Sequence, residues 1–192
     1  LTGALFKPQA PQMGVDVAGT VEAIGNRVTE FKVGDDVFGV APGSFAEYAC
    51  NGESKFALKP ANVSFEAAAA VPVAAFTALQ GLRDIGQIQT GQKVLIDGAS
   101  GGVGMFAVQI AKVYGAEVTA VCRRRNFDLM RSIGADHTLD YTREDFTKNG
   151  EQYDLIFVVN GHHSIQDYRR ALTPTGKCVV AGGALSQILQ AL

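Results

Sequence analysis

The sequence predicts an α/β protein in which a doubly wound parallel sheet follows a smaller, partial β domain. From residue 93 onward, apolar strand-like runs alternate with helical stretches, which is typical of a parallel sheet with helical crossovers. Before residue 60, short β-like runs are separated by glycines, as in a small barrel or sandwich. The change between the two patterns falls between residues 60 and 75.

The first part of the chain predicts several short strands. "VDVAGTVEAIG" (15–25) is rich in valine and bends at its glycines, and "FKVGDDVFGV" (31–40) holds a Gly-Asp turn between apolar runs. Apolar and polar residues alternate in "GSFAEYAC" (43–50) and in "SKFALKP" (54–60). Close spacing of such runs indicates an antiparallel β domain.

A helical stretch over 63–86 leads into the second part. Ser64 is a candidate N-cap, and Pro72 is expected to restart the helix because proline is favoured in a first turn. Five strands with helices between them then imply a parallel sheet with right-handed crossovers. The predicted strands cover 93–98, 117–122, 137–141, 153–159 and 176–183, and the helices 102–114, 126–133, 164–172 and 185–192.

Both ends of the sequence look interrupted. Residues 1–14 are a polar loop rich in Pro and Gln, without an initiator Met, and "SQILQAL" (186–192) opens a helix that stops. We therefore expect a chain that is truncated at both ends.

Composition and cysteine usage limit which classes of partner and which cellular compartment can be expected. The formal net charge is −2, which gives no electrostatic reason to expect nucleic acid or an anionic membrane as a partner. Cys50, Cys122 and Cys178 lie far apart, with no CxxC or Cys/His metal spacing, and they predict reduced thiols. The sequence shows no apolar run of transmembrane length and no charged-then-apolar leader. These observations predict a cytoplasmic protein.

A glycine-rich turn occurs in "VLIDGASGGVGMFAVQIAK" (94–112), between an apolar strand and an amphipathic helix. Its spacing fits an A-x-G-x-x-G version of the dinucleotide fingerprint, in which the small first residue makes the tight turn. The second small residue lets the backbone approach a pyrophosphate, the third lets the helix pack on the strand, and helix N–H groups receive the phosphates. The alternative is a tight turn with structural glycines only. The predicted cofactor contacts here are Ala99, Ser100, Gly101, Gly102, Val103 and Gly104.

The end of the second strand indicates which dinucleotide would bind. An NAD site has an acidic residue about 20 residues after the glycines, for the ribose hydroxyls. Here "VCRRRN" (121–126) has Arg123, Arg124 and Arg125 instead, and arginine forks pair with phosphate. The sequence therefore favours NADPH, whose 2′-phosphate needs such a partner. A solvated basic loop is the alternative, and spacing leaves open which arginine makes the contact.

These motifs resemble the medium-chain dehydrogenase/reductases, in the zinc-independent NADPH:quinone oxidoreductase branch that includes the zeta-crystallins. The similar stretches follow one another in family order over essentially the whole chain. They are "GVDVAGTVEAIG" (14–25), "FKVGDDVFG" (31–39), "GSFAEYAC" (43–50), "AAAAVPVAAFTALQGL" (67–82), "GQKVLIDGASGGVG" (91–104), "IGADHTLDY" (133–141) and "RRALTPTGK" (169–177).

The resemblance implies a partial GroES-like domain over residues 1–70 and a Rossmann NADP-binding domain over 71–192, whose closing part is missing. It also implies that no zinc takes part. Zinc members have Gly-His-Glu where this chain reads Gly14-Val15-Asp16, and the four-cysteine lobe is missing. The three histidines, His137, His162 and His163, are interpreted as surface or loop residues.

Further cofactor contacts follow from the resemblance alone. Thr77 matches a threonine near the nicotinamide carboxamide, with a helix-packing role as the alternative. Tyr141 and Arg125 match residues that contact the 2′-phosphate, although Tyr141 is alternatively an ordinary strand-end aromatic. Arg123 stands where Ser or Gly is commoner in the family. The glycines on the nicotinamide side would be Gly161, Gly182 and Gly183.

The resemblance implies hydride transfer from NADPH to a small-molecule quinone or α,β-unsaturated carbonyl. No catalytic residue is named, because the residues that bind the carbonyl in this family fall largely in the missing part. Two other functions remain: a non-catalytic NADPH-binding sensor or structural module, and an enoyl-thioester reductase. The resemblance also implies that the full-length protein is a homodimer, joined through an edge strand of the Rossmann sheet. That edge strand would lie beyond residue 192, and without it the strand at 176–183 is an exposed edge.

Overall fold

The computed structural model describes residues 3–4, 7–8 and 13–182. The chain divides into two compact units, Leu1–Ala74 and Ala75–Leu192. In the part that is described, no helix combines the length and the apolar character needed to cross a membrane.

The first unit is built on a three-stranded antiparallel sheet. Its middle strand alternates between buried and exposed positions: Val37 and Gly39 are buried, and Asp36 is exposed. Gly39 allows close packing, since a Cβ there would lie 2.9 Å from the Cα of Phe56 on the neighbouring strand. The strands are β1 (Gly3–Ala4), β2 (Lys7–Pro8), β3 (Asp16–Thr20), β4 (Asp36–Val40) and β5 (Phe56–Leu58), where β1 and β2 form a separate short pair.

The strand predicted over 43–50 does not form, and this prediction is wrong. The chain turns at Gly43, whose φ is +79°, and continues without ladder pairing. The apolar residues that produced the alternation, Phe45 and Tyr48, are exposed. An alternating pattern predicts a strand only where one face is buried, and this face is not.

The helical stretch predicted over 63–86 forms as three segments. Helix α1 (Phe65–Ala69) begins after Ser64, whose Oγ accepts a hydrogen bond from the Ala67 N–H at 3.2 Å. Helix α2 (Pro72–Leu79) begins at Pro72, and a π-helical segment, Gln80–Ile85, continues it. The predicted cap and the predicted restart are both confirmed.

The second unit contains five parallel strands, which confirms the doubly wound α/β prediction. The strands are β6 (Lys93–Asp97), β7 (Glu117–Cys122), β8 (His137–Asp140), β9 (Tyr153–Val158) and β10 (Leu172–Val180). Their order in the sheet is β10-β9-β6-β7-β8. Helix α3 (Gly102–Val113), helix α4 (Phe127–Ser132) and helix α5 (Ile165–Arg170) lie between strands along the chain.

The sheet is buried on both faces, as a parallel sheet requires. The side chains of successive β6 residues lie on opposite faces of the sheet: Val94 and Ile96 pack in one apolar cluster, and Leu95 packs in the other. All three are fully buried, and each such side chain contributes about 1.5–3 kcal/mol by leaving water. The face that contains Leu95 also holds Tyr168 of α5.

The last described strand departs from the prediction at its start. Helix α5 ends at Arg170, two residues before the predicted end, because Leu172 already pairs with Tyr153 of β9. The pairing register shifts between Leu172 and Lys177. Strand β10 is an edge strand among the described ones. Gly183 and the helix predicted from residue 185 lie outside the described residues.

Candidate functional site

The order of the strands places a ligand crevice at the carboxyl end of β6. The chain runs from β6 to β7 and β8 on one side, and then returns to β9 and β10 on the other side. In doubly wound sheets, ligands bind outside the carboxyl ends of the strands where the order reverses. The glycine-rich turn follows β6 at this position, so its setting is that of a dinucleotide site.

Backbone geometry explains why small residues occupy the glycine turn. Gly98 has φ +88°, a conformation that residues with a side chain rarely adopt. A Cβ at Gly104 would lie 2.6 Å from the carbonyl oxygen of Ala99, so helix α3 packs directly on the strand end. A Cβ at Gly101 would meet only the Gly98 carbonyl oxygen, at 3.5 Å, and Gly101 is exposed. Gly104 is thus the packing position, and Gly101 leaves backbone open to a ligand.

The open backbone at Gly101 leads directly into the N-terminus of α3, where the first N–H groups of the helix lie. Gly101 is the N-cap residue, and its carbonyl accepts from the Met105 N–H at 2.9 Å. The preceding N–H groups, at Gly102 and Val103, have no acceptor within the helix. The Ala99 N–H donates to the Val121 carbonyl of β7 at 3.1 Å, which fixes the turn against the neighbouring strand. The arrangement suits a phosphate group.

Two of the predicted 2′-phosphate residues contact each other. Arg123 follows β7, Tyr141 follows β8, and the Arg123 Nε donates to the Tyr141 hydroxyl at 2.7 Å. The guanidinium carbon also lies 5.9 Å from the centre of the Tyr141 ring. Arg125 lies in the 3₁₀ turn Arg124–Asn126 that follows, and all three arginines are exposed. Arg123, Arg124, Arg125 and Tyr141 therefore form a group that we call the cationic corner. It lies one strand away from the glycine turn.

A buried carboxylate fixes that corner, and the sequence analysis did not identify it. Asp140 ends β8 and is 5 % exposed. Its carboxylate accepts from the Thr142 hydroxyl at 2.7 Å and from the Thr142 N–H at 3.0 Å. These hydrogen bonds lower the pKa of Asp140, so it is ionised at neutral pH. Asp140 thereby fixes the start of the loop after β8, next to Tyr141.

Gly161 and Gly182, two of the glycines predicted for the nicotinamide side, lie on the other side of β6. The Val159 N–H after β9 donates to the Asp97 carbonyl at 2.9 Å. The Gly182 N–H after β10 in turn donates to the Val158 carbonyl at 3.3 Å. Gly161 is buried, with the Val158 side chain against its Cα hydrogens. The loop that contains Gly161 therefore adjoins the glycine turn, and Gly182 adjoins the end of β9. Thr77 is half-buried in α2.

The end of β6 carries a second buried carboxylate that the sequence analysis missed. Asp97 is 7 % exposed, and its Oδ2 accepts from the hydroxyl of Tyr168 at 2.6 Å. Burial raises the pKa of Asp97, and the Tyr168 hydrogen bond opposes part of that rise. A signal was present in "KVLID" (93–97), where a single acid ends an otherwise apolar run.

The raised pKa of Asp97 predicts how stability depends on pH. Above its ordinary value of 3.8, the folded state holds this proton more strongly than the unfolded state does, so the free energy of unfolding falls as pH rises through that window. We expect the Asp97→Asn variant to lose this contribution while keeping an oxygen that accepts from Tyr168. Urea unfolding at several pH values from 4 to 8 measures it, with the exposed Asp128→Asn as control. Parallel pH curves for Asp97→Asn and the parent chain would contradict the prediction.

Two family models cover the chain. The model described as "Alcohol dehydrogenase GroES-like domain" matches residues 1–111, and the one described as "Zinc-binding dehydrogenase" matches residues 102–190. The described residues do not fit a zinc ion: among residues 13–182, no three His, Cys, Asp or Glu side chains are grouped to hold a metal. His137 pairs with Glu117, and the His163 ring packs on Phe146.

Relatives and solved structures agree with the family models. The chain is 39% identical over 181 residues to the "Quinone-oxidoreductase homolog, chloroplastic" of Spinacia oleracea, covering 86% of this chain and 54% of the relative. It is 36% identical over 185 residues to the "NADPH-dependent alkenal/one oxidoreductase, chloroplastic" of Arabidopsis thaliana, covering 90% and 47%. The solved quinone oxidoreductase of Coxiella burnetii matches with a TM-score of 0.81 and 32% identity, over 88% of this chain and 56% of that one.

These relatives correct the prediction of compartment. The expectation of a cytoplasmic protein is wrong, since the relatives from Spinacia oleracea and Arabidopsis thaliana are named as chloroplastic. Reduced thiols and a near-neutral charge do not distinguish the cytoplasm from the interior of an organelle. The chain spans about half the length of these curated relatives. The family models, the parallel sheet with its glycine turn and the relatives together show that the chain belongs to the medium-chain dehydrogenase/reductase superfamily.

Proposed function

We propose that the protein to which this chain belongs transfers hydride from NADPH to a small-molecule quinone or α,β-unsaturated carbonyl. The observation that carries the proposal is the cationic corner of Arg123 and Tyr141, one strand from the glycine turn. An NADP 2′-phosphate needs a cationic partner at that end of the sheet. The names of the relatives, a quinone oxidoreductase homolog and an NADPH-dependent alkenal/one oxidoreductase, support the same reaction.

In this proposal, the two halves of the cofactor bind at the ends of different strands. The open backbone at Gly101 and the N–H groups of Gly102 and Val103 bind the pyrophosphate. Ala99, Ser100 and Gly104 shape that turn, and Arg123, Arg125 and Tyr141 bind the 2′-phosphate. Thr77, Gly161, Gly182 and Gly183 contact the nicotinamide side.

The side chains at the corner are suited to a phosphate. Arg123 uses its Nε–H for Tyr141, and a guanidinium carries four further N–H donors in a rigid fork. Because the Arg123 side chain is exposed and already hydrogen-bonded to Tyr141, less rotamer freedom is lost when a phosphate binds. When bound, NADPH supplies the hydride, and the protein contributes binding and orientation.

The remaining expectations are part of the same proposal. Residues 1–70 belong to a GroES-like domain and residues 71–192 to the Rossmann NADP-binding domain. The full-length protein is a homodimer, with β10 near the joining edge.

A paired titration of the chain with NADPH and NADH, followed by nicotinamide fluorescence, tests the cofactor assignment. We expect NADPH to bind more tightly by about 1.5–3 kcal/mol, roughly tenfold to 150-fold, which is the scale of a charged hydrogen bond. Equal affinities contradict the role of the arginines.

The same samples then receive a quinone, an enone or an enoyl thioester, and NADPH consumption is recorded. Consumption with the quinone or the enone supports the proposed reaction. Consumption with the thioester alone identifies an enoyl-thioester reductase. Binding without consumption by any acceptor identifies this chain as an incomplete enzyme or as an NADPH-binding module.

A further inference from the structure

A buried hydrogen bond links two segments at the carboxyl edge of the sheet, and a third segment packs on it. The hydroxyl of Tyr168 donates to the Asp97 carboxylate at 2.6 Å, and the loop before α5 packs against this hydroxyl at Gly161. Tyr168 is 1 % exposed and lies on α5, while Asp97 ends β6. The hydroxyl thus connects the loop before α5 with the strand that leads into the glycine turn.

The loop that this hydroxyl holds is the one over residues 159–163. The Asp97 carbonyl accepts from the N–H groups of Val159 at 2.9 Å and Asn160 at 3.4 Å. A Cβ at Gly161 would clash with the Tyr168 hydroxyl, so the loop passes directly over it. Asp97 therefore holds the start of the loop through its main-chain carbonyl, and its side chain holds Tyr168 against the loop at Gly161.

The same contacts join this loop to the glycine turn. A Cβ at Gly98 would lie 3.0 Å from the Asn160 nitrogen and 3.1 Å from the Asn160 Cβ, so the turn and the loop pack against each other. Movement of one segment requires movement of the other, because such close packing does not deform gradually.

Aromatic rings and titratable side chains surround the buried pair. The rings of Phe146 and His163 lie 6.0 and 5.8 Å from the Tyr168 ring. His162 and His163 favour the charged form of Asp97, whereas burial opposes it. Cys178 of β10 is the other titratable group near the carboxylate, and burial raises its pKa to about 11, so it is a neutral thiol at pH 7. Burial and Asp97 together raise the pKa of Tyr168, which keeps its hydroxyl protonated as a donor.

We infer that Tyr168 and Asp97 are positioning residues for the nicotinamide half of the cofactor, acting through the 159–163 loop. The inference rests on the proposed function, in which Gly161 lies on the nicotinamide side. Neither side chain needs to touch the cofactor. Their hydroxyl–carboxylate link sets where the loop backbone stands relative to the glycine turn.

The test compares two probes that share the adenosine half of the cofactor. NADPH reaches both halves of the site, whereas 2′,5′-ADP lacks the nicotinamide. We expect Tyr168→Phe to weaken NADPH binding roughly tenfold, because the lost hydrogen bond no longer holds the 159–163 loop in place, and to leave 2′,5′-ADP binding within about twofold of the parent chain. Isothermal titration at pH 7 measures both affinities.

Tyr153→Phe is the matched control. Tyr153 is also a buried tyrosine of the same apolar cluster, but it begins β9 and so lies at the opposite end of that strand from the carboxyl edge. It should leave both affinities unchanged. Asp97→Asn, which retains an acceptor for Tyr168, should keep NADPH affinity within about twofold of the parent.

Asp97→Ala tests the same link from its other end if Tyr168→Phe does not fold, since it removes the buried carboxylate rather than stranding it. It should show the same selective loss of NADPH affinity. Unchanged NADPH affinity in the folded variant, or an equal loss for both probes, overturns the inference while the proposed function stands. Failure of the parent chain to bind either probe contradicts the proposed function itself, and the inference falls with it.

Discussion

The Gly104→Ala variant is expected to lose about 3 kcal/mol of its free energy of unfolding, at the upper end of what overpacking costs. The added Cβ would lie 2.6 Å from the Ala99 carbonyl oxygen and 2.7 Å from its carbon. These neighbours are backbone atoms, which cannot rotate away as a flexible side chain can. Helix α3 would have to move away from β6, and that movement would open the apolar cluster behind the turn.

Urea unfolding followed by circular dichroism measures this loss, and Gly101→Ala is the matched control. Gly101 has φ −82° and ψ 170°, which alanine adopts readily, and its Cβ would meet one atom at 3.5 Å. We expect Gly101→Ala to lose less than about 1 kcal/mol, the scale of a changed helix cap, and yet to weaken NADPH binding because the methyl group occupies the phosphate approach. Equal losses of stability in the two variants would show that close packing at Gly104 is not what requires glycine there.

The second large effect concerns cofactor choice. We expect Arg123→Ala to weaken NADPH binding by roughly tenfold to 150-fold, since it removes a charged hydrogen-bond partner, and to leave NADH binding unchanged. The reason is that only NADPH carries the 2′-phosphate. Fluorescence titration of both cofactors gives the two affinities and their ratio. Arg131→Ala on the exposed side of α4 should change neither.

Two further variants locate the phosphate within the corner. Tyr141→Phe keeps the positive charge but removes the hydroxyl that orients Arg123, so its loss of NADPH affinity should be smaller than that of Arg123→Ala. If Arg125→Ala carries the large loss and Arg123→Ala does not, the phosphate lies against the 3₁₀ turn instead. Unchanged selectivity in both arginine variants would refute the cationic corner as the 2′-phosphate site.

The glycine turn and the sheet were predictable because their signals are local. The strand before the turn is apolar on both faces, and the helix after it is amphipathic. Small residues at fixed spacing mark the turn between them. Each signal needs fewer than twenty consecutive residues. The strand predicted over 43–50 failed because alternation alone does not say whether a face is covered, and here Phe45 and Tyr48 are exposed.

The Asp97–Tyr168 pair was not predictable in the same way. Its members are 71 residues apart, and only the sheet order brings them together. A single acid at the end of an apolar strand signals a buried partner, but does not identify it. Arg123 and Tyr141 were each predicted from a motif or a resemblance. Their mutual hydrogen bond depends on β7 and β8 being neighbours, which the sequence did not specify residue by residue.

The central place of β6 has a consequence for how the sheet is assembled during synthesis. Strand β6 pairs with β7, which follows closely along the chain, and with β9, where Val94 pairs with Leu155. During synthesis, β7 is therefore available to pair with one edge of β6 many residues before β9 exists to pair with the other edge. Contacts of such long sequence separation form slowly, and exposed strand edges favour aggregation. The nascent half-sheet is the form of this chain that most needs protection by a chaperone.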